Sequence, residues 1–143
     1  MTISRYFIAA FFGLFSLSSH AEIINADVAE ISELNSQGVT VVDIRLPQEW
    51  NDTGVIAGSK LLTYSDAHGR VTPDWVEKMK AIAPPDQPVA LICRTGGRSA
   101  DAARLLDRSG YQKVYNVEGG IFAWKGSNMP VVPPSDAIVI GNP

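Results

Sequence analysis

The chain has 143 residues, of which 45% are hydrophobic and 19% charged. That length and balance suit one soluble globular domain with a real core and exclude a disordered chain. The net charge of -3 argues against nucleic acid or an anionic membrane as partner, because neither attracts a net acidic surface, although "CRTGGR" forms a local basic patch.

The first residues, "MTISRYFIAAFFGLFSLSSHA", read as a secretory signal peptide over residues 1–21. Arg5 supplies the positive start, Tyr6 to Leu17 is apolar apart from Ser16, and Ser19 and Ala21 are small residues at the two positions of a cleavage site. The apolar run is short for a bilayer span, which needs about 20 residues. No cysteine stands at the cleavage site to carry a lipid. A mature chain beginning at Glu22, periplasmic or secreted and without stable membrane association, is therefore expected.

The exported chain carries one thiol, Cys93, so no disulfide can form within it. A lone thiol in an oxidising compartment is a liability unless it is buried or used.

"ADVAEISELNSQGVTVVDIR" predicts helix, turn and strand. Val28, Ile31 and Leu34 share a helix face, Asp27 caps its start and Gly38 stops it. Val39 to Val42 is a continuous apolar, β-branched run ending at Asp43, as in a strand buried on both faces. "LPQEWNDTG" predicts a short helical turn with Pro47 near its start. A short strand is expected around Lys60 to Leu62, followed by a polar loop, "SDAHGR". "TPDWVEKMKAIA" predicts a helix with Thr72 as N-cap and Pro73 at its first position.

"VALIC" reads as a wholly apolar strand. "SADAARLLDRSG" predicts a helix with Ser99 at its start and Ala102, Ala103, Leu105 and Leu106 inward. "KVYNV" predicts a strand and "GGIFAWKG" a last short helix. This bounds a domain over residues 22–128. The tail, 129–143, is expected to lie over the surface or fray, with "AIVI" able to add an edge strand. The alternation implies an α/β fold: a parallel sheet with helices on both faces. Ligands then bind beyond the carboxyl ends of the strands, which places Cys93 in a cleft.

The loop after the cysteine, "RTGGRS", has three features that stabilise a thiolate. The following helix points its free N–H groups back at the loop. Gly96 and Gly97 allow successive N–H groups to converge on an anion. Arg94 and Arg98 add positive charge on either side. Cysteine-dependent phosphatases use similar logic with a C-x5-R pattern. Here Cys93 to Arg98 is C-x4-R, a tighter cradle centred on the sulfur, so phosphatase is the weaker reading.

With "CRTGGRS" after an apolar strand, the chain resembles the rhodaneses, in particular exported single-domain sulfurtransferases. That family's loop is close to C-R-S-G-x-R-S, and Thr95 is the departure. "VVDIRLPQEWNDTGVIAGS" and "VYNVEGGIFAWKG" resemble two further family motifs, with Val55 in place of a usual His and Ser59 in place of a usual Ala. The match runs over roughly residues 24–126. The resemblance implies a rhodanese-like three-layer fold and a catalytic Cys93. It implies a substrate-binding loop of Arg94, Thr95, Gly96, Gly97, Arg98 and Ser99. The expected donor is a small anion, thiosulfate, or a persulfide. The expected acceptor is cyanide or a thiol, with no metal or organic cofactor.

Other residues tempt. His68 could partner the cysteine in a hydrolase, but it lies in a polar loop beside Gly69. Asp43, Arg45 and Glu49 read better as an ion-pair network fixing the "DIRLPQEW" turn than as acid–base catalysts. Trp50, Trp75 and Trp124 read as core or cleft-wall aromatics. Two functional readings stand: a sulfurtransferase, and a non-catalytic sulfur carrier that is charged with a persulfide by a partner.

Overall fold

The structure is a computed structural model and describes residues 19–140. The body of the expected signal peptide, residues 1–18, lies outside the described residues. The elements run β1 (Glu22–Ala26), α1 (Val28–Ser36), β2 (Thr40–Asp43), α2 (Pro47–Thr53), β3 (Lys60–Leu61) and α3 (Trp75–Ile82). They continue with β4 (Val89–Ile92), α4 (Gly97–Arg108), β5 (Lys113–Val117), α5 (Gly120–Gly126), a 3-10 turn (Pro134–Asp136) and β6 (Ile138–Val139).

The six strands form one sheet in the order β1-β5-β4-β2-β3-β6, and every neighbouring pair is parallel. Strand β4, wholly apolar, is buried throughout, and β2 and β5 are buried from their second residue on. Each sheet face is covered. Trp75 and Met79 of α3 and Ala102, Ala103 and Leu106 of α4 pack against Val42, Leu91 and Val114. Ile31 of α1 and Ile121 and Trp124 of α5 pack against Val41, Ala90 and Val117 on the other side. The α/β three-layer expectation therefore holds.

From β2 the chain moves outward to β3, whereas from β4 it moves the opposite way to β5. The point where the winding reverses lies between β2 and β4. A crevice opens at such a point beyond the strand ends. Asp43 ends β2 there, and Cys93 directly follows β4.

Four local expectations need correction. "EIINA" forms β1, paired from Glu22↔Lys113 to Ala26↔Val117, where no strand was expected. The third helix begins at Trp75, because Asp74 adopts a left-handed conformation (φ 58°) that a helix cannot continue through. Thr72 is thus no N-cap, and its hydroxyl donates instead to the Thr63 carbonyl. The fourth helix starts at Gly97 with Gly96 as its cap, so Ser99 lies inside its first turn. Leu105 is only partly buried.

Asp27 caps α1 as expected, its Oδ1 accepting the Glu30 N–H at 2.9 Å. The tail turns back onto the fold. Val132 exchanges backbone hydrogen bonds with Val55 (2.9 and 2.8 Å), and β6 adds an edge strand against β3. Val55 is fully buried in a small cluster with Trp50 and Leu61, against which Val132 packs. The place of the usual family His is thus filled by apolar packing that fastens the tail. Among the described residues no helix is long and apolar enough to cross a membrane.

Candidate active site

The loop from Cys93 to Ser99 folds around the sulfur. Gly96 takes φ +105°, a conformation that costs glycine little and other residues much. That turn aims the Gly96 N–H at Cys93 Sγ (3.1 Å), while the first turn of α4 aims the Ser99 N–H at the same atom (3.4 Å). Ser99 Oγ lies 3.2 Å from the sulfur. Burial alone would push the thiol up. The Ser99 side chain and the backbone N–H groups of Ser99, Gly96 and Thr95 outweigh burial and hold Cys93 below its ordinary value of 9.0. The expected nest is present, with one correction. Gly97 has no positive φ, and a β-carbon there would meet open space, so only Gly96 supplies the special conformation.

The strand-end position was expected to place the thiol in a cleft. It is 1% exposed, set beneath the loop with its hydrogen-bond partners all drawn from that loop. His68 is not among them, and its own backbone N–H is held by Asp66 Oδ1 in the exposed loop. A Cys–His pair is therefore not assembled.

Behind the sulfur stands a buried polar group that sequence reasoning missed. Ser99 Oγ lies 2.5 Å from Asn116 Oδ1, its single hydrogen able to turn to that oxygen or to Cys93 Sγ, and Asn116 Nδ2 donates to Asn25 Oδ1 (3.0 Å) and to the Gly96 carbonyl (3.4 Å). Asn116 on β5 thus ties the loop to the sheet edge strand β1. Gly120 was likewise not singled out. A β-carbon there would lie 2.5 Å from the carbonyl oxygens of both Cys93 and Arg94. The tight turn before α5 can approach the loop only because that residue is glycine.

Above the loop is a cleft of about 610 Å³ whose walls include Glu49, Tyr64, Arg94, Gly97, Arg98 and Asp101. Leu46 and Asp66 border both this cleft and an adjoining, mainly apolar groove of about 850 Å³. Arg94 and Thr95 are exposed at the rim, with the Arg94 guanidinium 4.9 Å from the centre of the Phe122 ring.

The two arginines are not equivalent. Arg98 is paired end-on with Glu49, Nη1 to Oε2 at 2.8 Å and Nη2 to Oε1 at 2.7 Å. Arg94 makes no ion pair among the described residues.

The expected Asp43–Arg45–Glu49 network is present in part. Arg45 is fully buried, forks onto both Asp43 oxygens (2.9 and 2.7 Å), and donates to the Thr53 hydroxyl and the Gly54 carbonyl. The Arg45 N–H and Trp50 Nε1 also donate to Asp43. Glu49 leaves that network. Its carboxylate accepts the Leu46 N–H at the start of α2 and reaches Arg98. Burial pushes Glu49 up, but the Arg98 and Leu46 donors and the Arg98 and Arg45 charges outweigh it and hold its pKa below 4.5.

A family model, the Rhodanese-like domain, matches residues 27–127. A protein of Ectopseudomonas mendocina named thiosulfate sulfurtransferase GlpE is 34% identical over 98 residues, covering 68% of this chain and 81% of its own. Among solved structures, a rhodanese-related protein from Thermoplasma volcanium is 31% identical with a TM-score of 0.58, covering 76% of this chain and 97% of that one. A Rhodopseudomonas palustris protein described as of unknown function, possible tyrosine phosphatase, is 29% identical with a TM-score of 0.59. That likeness covers 77% of this chain and 85% of that one.

Proposed function

The chain belongs to the rhodanese family, and we propose that within it the protein is a sulfurtransferase. It moves the sulfane sulfur of thiosulfate or of a persulfide, through a persulfide on Cys93, to a thiophilic acceptor such as cyanide or a thiol. The observation that supports this most is the convergence of Gly96 and Ser99 N–H groups on Cys93 Sγ beneath an arginine-lined cleft.

The thiolate attacks the outer sulfur of thiosulfate. The S–S bond breaks, sulfite leaves with the electron pair, and Cys93 keeps the sulfur as a persulfide. N–H groups already aimed at the sulfur need no rearrangement as charge moves along the new bond. Arg94 and Arg98 face the sulfite end of the donor. An acceptor nucleophile then takes the terminal sulfur, and the Cys93 thiolate is restored with no net redox change.

Multiple-turnover formation of thiocyanate from thiosulfate and cyanide tests this reading. A carrier would be charged once and release little more than one equivalent. Aryl-phosphate hydrolysis is the weaker activity, because Arg98 comes one residue early and its fork is held by Glu49. The site of action is proposed to be the periplasm or the exterior of the cell, on the N-terminal sequence alone.

A further inference from the structure

Ser99 Oγ carries one hydrogen and meets three groups able to accept it: Asn116 Oδ1 (2.5 Å), Cys93 Sγ (3.2 Å) and the Gly96 carbonyl (3.2 Å). Asn116 is buried, and its amide can face only one way. Nδ2 reaches the Gly96 carbonyl, which can only accept, so Oδ1 is the atom turned to Ser99. Nδ2 also donates to Asn25 Oδ1 of β1, which holds the amide from the other side. The hydrogen between Ser99 Oγ and Asn116 Oδ1 therefore belongs to Ser99. While it points at Asn116, Ser99 offers the sulfur only lone pairs, which suit the S–H of a neutral thiol. When it turns to a thiolate, Asn116 Oδ1 loses its donor in a buried site, and that is costly.

After sulfur loading the negative charge sits on the terminal sulfur. Cys93 Sγ is then an uncharged bridging atom and a weak acceptor, so the Ser99 hydrogen returns to Asn116. We propose that Asn116 is a positioning residue acting through Ser99: it draws the hydroxyl hydrogen off Cys93 Sγ whenever that atom is uncharged, and so favours the sulfur-loaded enzyme over the free thiolate. This rests on the sulfurtransferase reading. The hydrogen turns about the Cβ–Oγ bond and is never transferred, so the loading step keeps its balance: the donor S–S bond breaks and the leaving group takes the electron pair. The Gly96 and Ser99 N–H groups are fixed by the backbone. Among the described residues Ser99 is the one side-chain partner of the sulfur, and it alone can follow the charge.

Asn116→Leu keeps the shape of the side chain and removes the acceptor, while the Gly96 carbonyl keeps the Ala100 N–H (3.1 Å). The pH midpoint of Cys93 alkylation by iodoacetamide should fall by about one unit in this variant. The same change made in Ser99→Ala should leave the midpoint where Ser99→Ala puts it, because the effect runs through the hydroxyl. The titratable groups around the loop are Arg94, Arg98, Asp101, Glu49, Asp43 and Tyr64, and all are retained in these variants. In mixtures of thiosulfate and sulfite well above both midpoints, the persulfide-to-thiolate ratio read from intact mass should fall about tenfold in Asn116→Leu. An Asn116 that only braces the loop gives the opposite sign, since a loosened nest raises the midpoint with or without Ser99. A midpoint that rises, stays, or falls equally without Ser99 overturns the inference and leaves the sulfurtransferase reading intact. A wild type that takes sulfur from no donor overturns that reading and the inference with it. If the leucine variant does not fold, the wild type decides by NMR. The Asn116 carboxamide carbon resonance should shift as Cys93 ionises and return on sulfur loading at the same pH. A resonance unmoved by ionisation, or not restored by loading, overturns the inference.

Discussion

The backbone N–H of Ile121 donates to the Cys93 carbonyl over 2.9 Å, fastening the cysteine loop to the start of α5. Phe122 N–H reaches the Arg94 carbonyl (3.3 Å) in the same way. The approach depends on Gly120, whose φ is +57° and whose missing β-carbon would collide with both carbonyl oxygens. Gly120→Ala should destabilise the fold by roughly 1–3 kcal/mol and lower kcat/KM, since the loop must shift to make room. Gly97→Ala is the contrast. Its new methyl meets open space inside a helix, so stability should hold or rise by about 0.5–1 kcal/mol. Urea unfolding of both variants checks the pair.

Arg94 and Arg98 should differ in how they fail. Arg94→Ala removes an unpaired cation at the rim, and loss of a charged hydrogen bond to the donor should lower kcat/KM by roughly tenfold to a hundredfold. Lysine should restore only part, because it lacks the planar fork. Arg98→Ala also strands Glu49 in the cleft. Adding Glu49→Gln to it should therefore recover activity with thiosulfate. A double variant no better than Arg98→Ala would mean that the two side chains are not coupled.

Two pH dependences follow from the charges. Cys93 titrates below 9.0, so alkylation by iodoacetamide should rise with pH earlier than for an ordinary cysteine. Ser99→Ala should move that rise to higher pH. Glu49 is a carboxyl whose folded pKa lies below its unfolded one. Its stabilising contribution is full above the unfolded value near 4.5 and is lost as pH falls through the lower folded value. The stability difference between wild type and Glu49→Gln should thus be constant near neutrality and shrink below pH 4.5, as read from urea midpoints.

Protein recovered from its native host should begin at Glu22. In the structure Glu22 opens β1, its N–H donating to the Gln112 carbonyl at 2.8 Å, so a chain cut there keeps the whole strand. N-terminal sequencing that still reads "MTISRY" would contradict export with cleavage.

The sheet order rests on strands that differ greatly in how plainly they announce themselves. "VTVV" is β-branched throughout and "VALIC" apolar throughout, and both read plainly as buried strands. "EIINA" is mostly exposed and mixed in polarity, and only its pairing with β5 makes it a strand. Thr72–Pro73 carries a sound helix-start signal, but a tertiary hydrogen bond to Thr63 takes the threonine and Asp74 breaks the backbone. At the site, Cys93 and its loop were legible because the chemistry is local in sequence. Asn116 and Gly120 were not, since their importance lies in contacts across 17 and 27 positions to Ser99 and Cys93 (116 − 99 and 120 − 93). The Arg98–Glu49 pair, 49 positions apart, was hidden for the same reason.

The central claim is a sulfur atom carried on Cys93, and mass spectrometry of the intact protein measures it directly. After incubation with thiosulfate or a persulfide donor, the wild type should gain the mass of one sulfur on the peptide that holds Cys93, removable by cyanide or excess thiol. Cys93→Ser should gain none, a neutral hydroxyl being a poor nucleophile without a base beside it. An unmodified Cys93 peptide with both donors, or normal turnover by Cys93→Ser, would contradict the account.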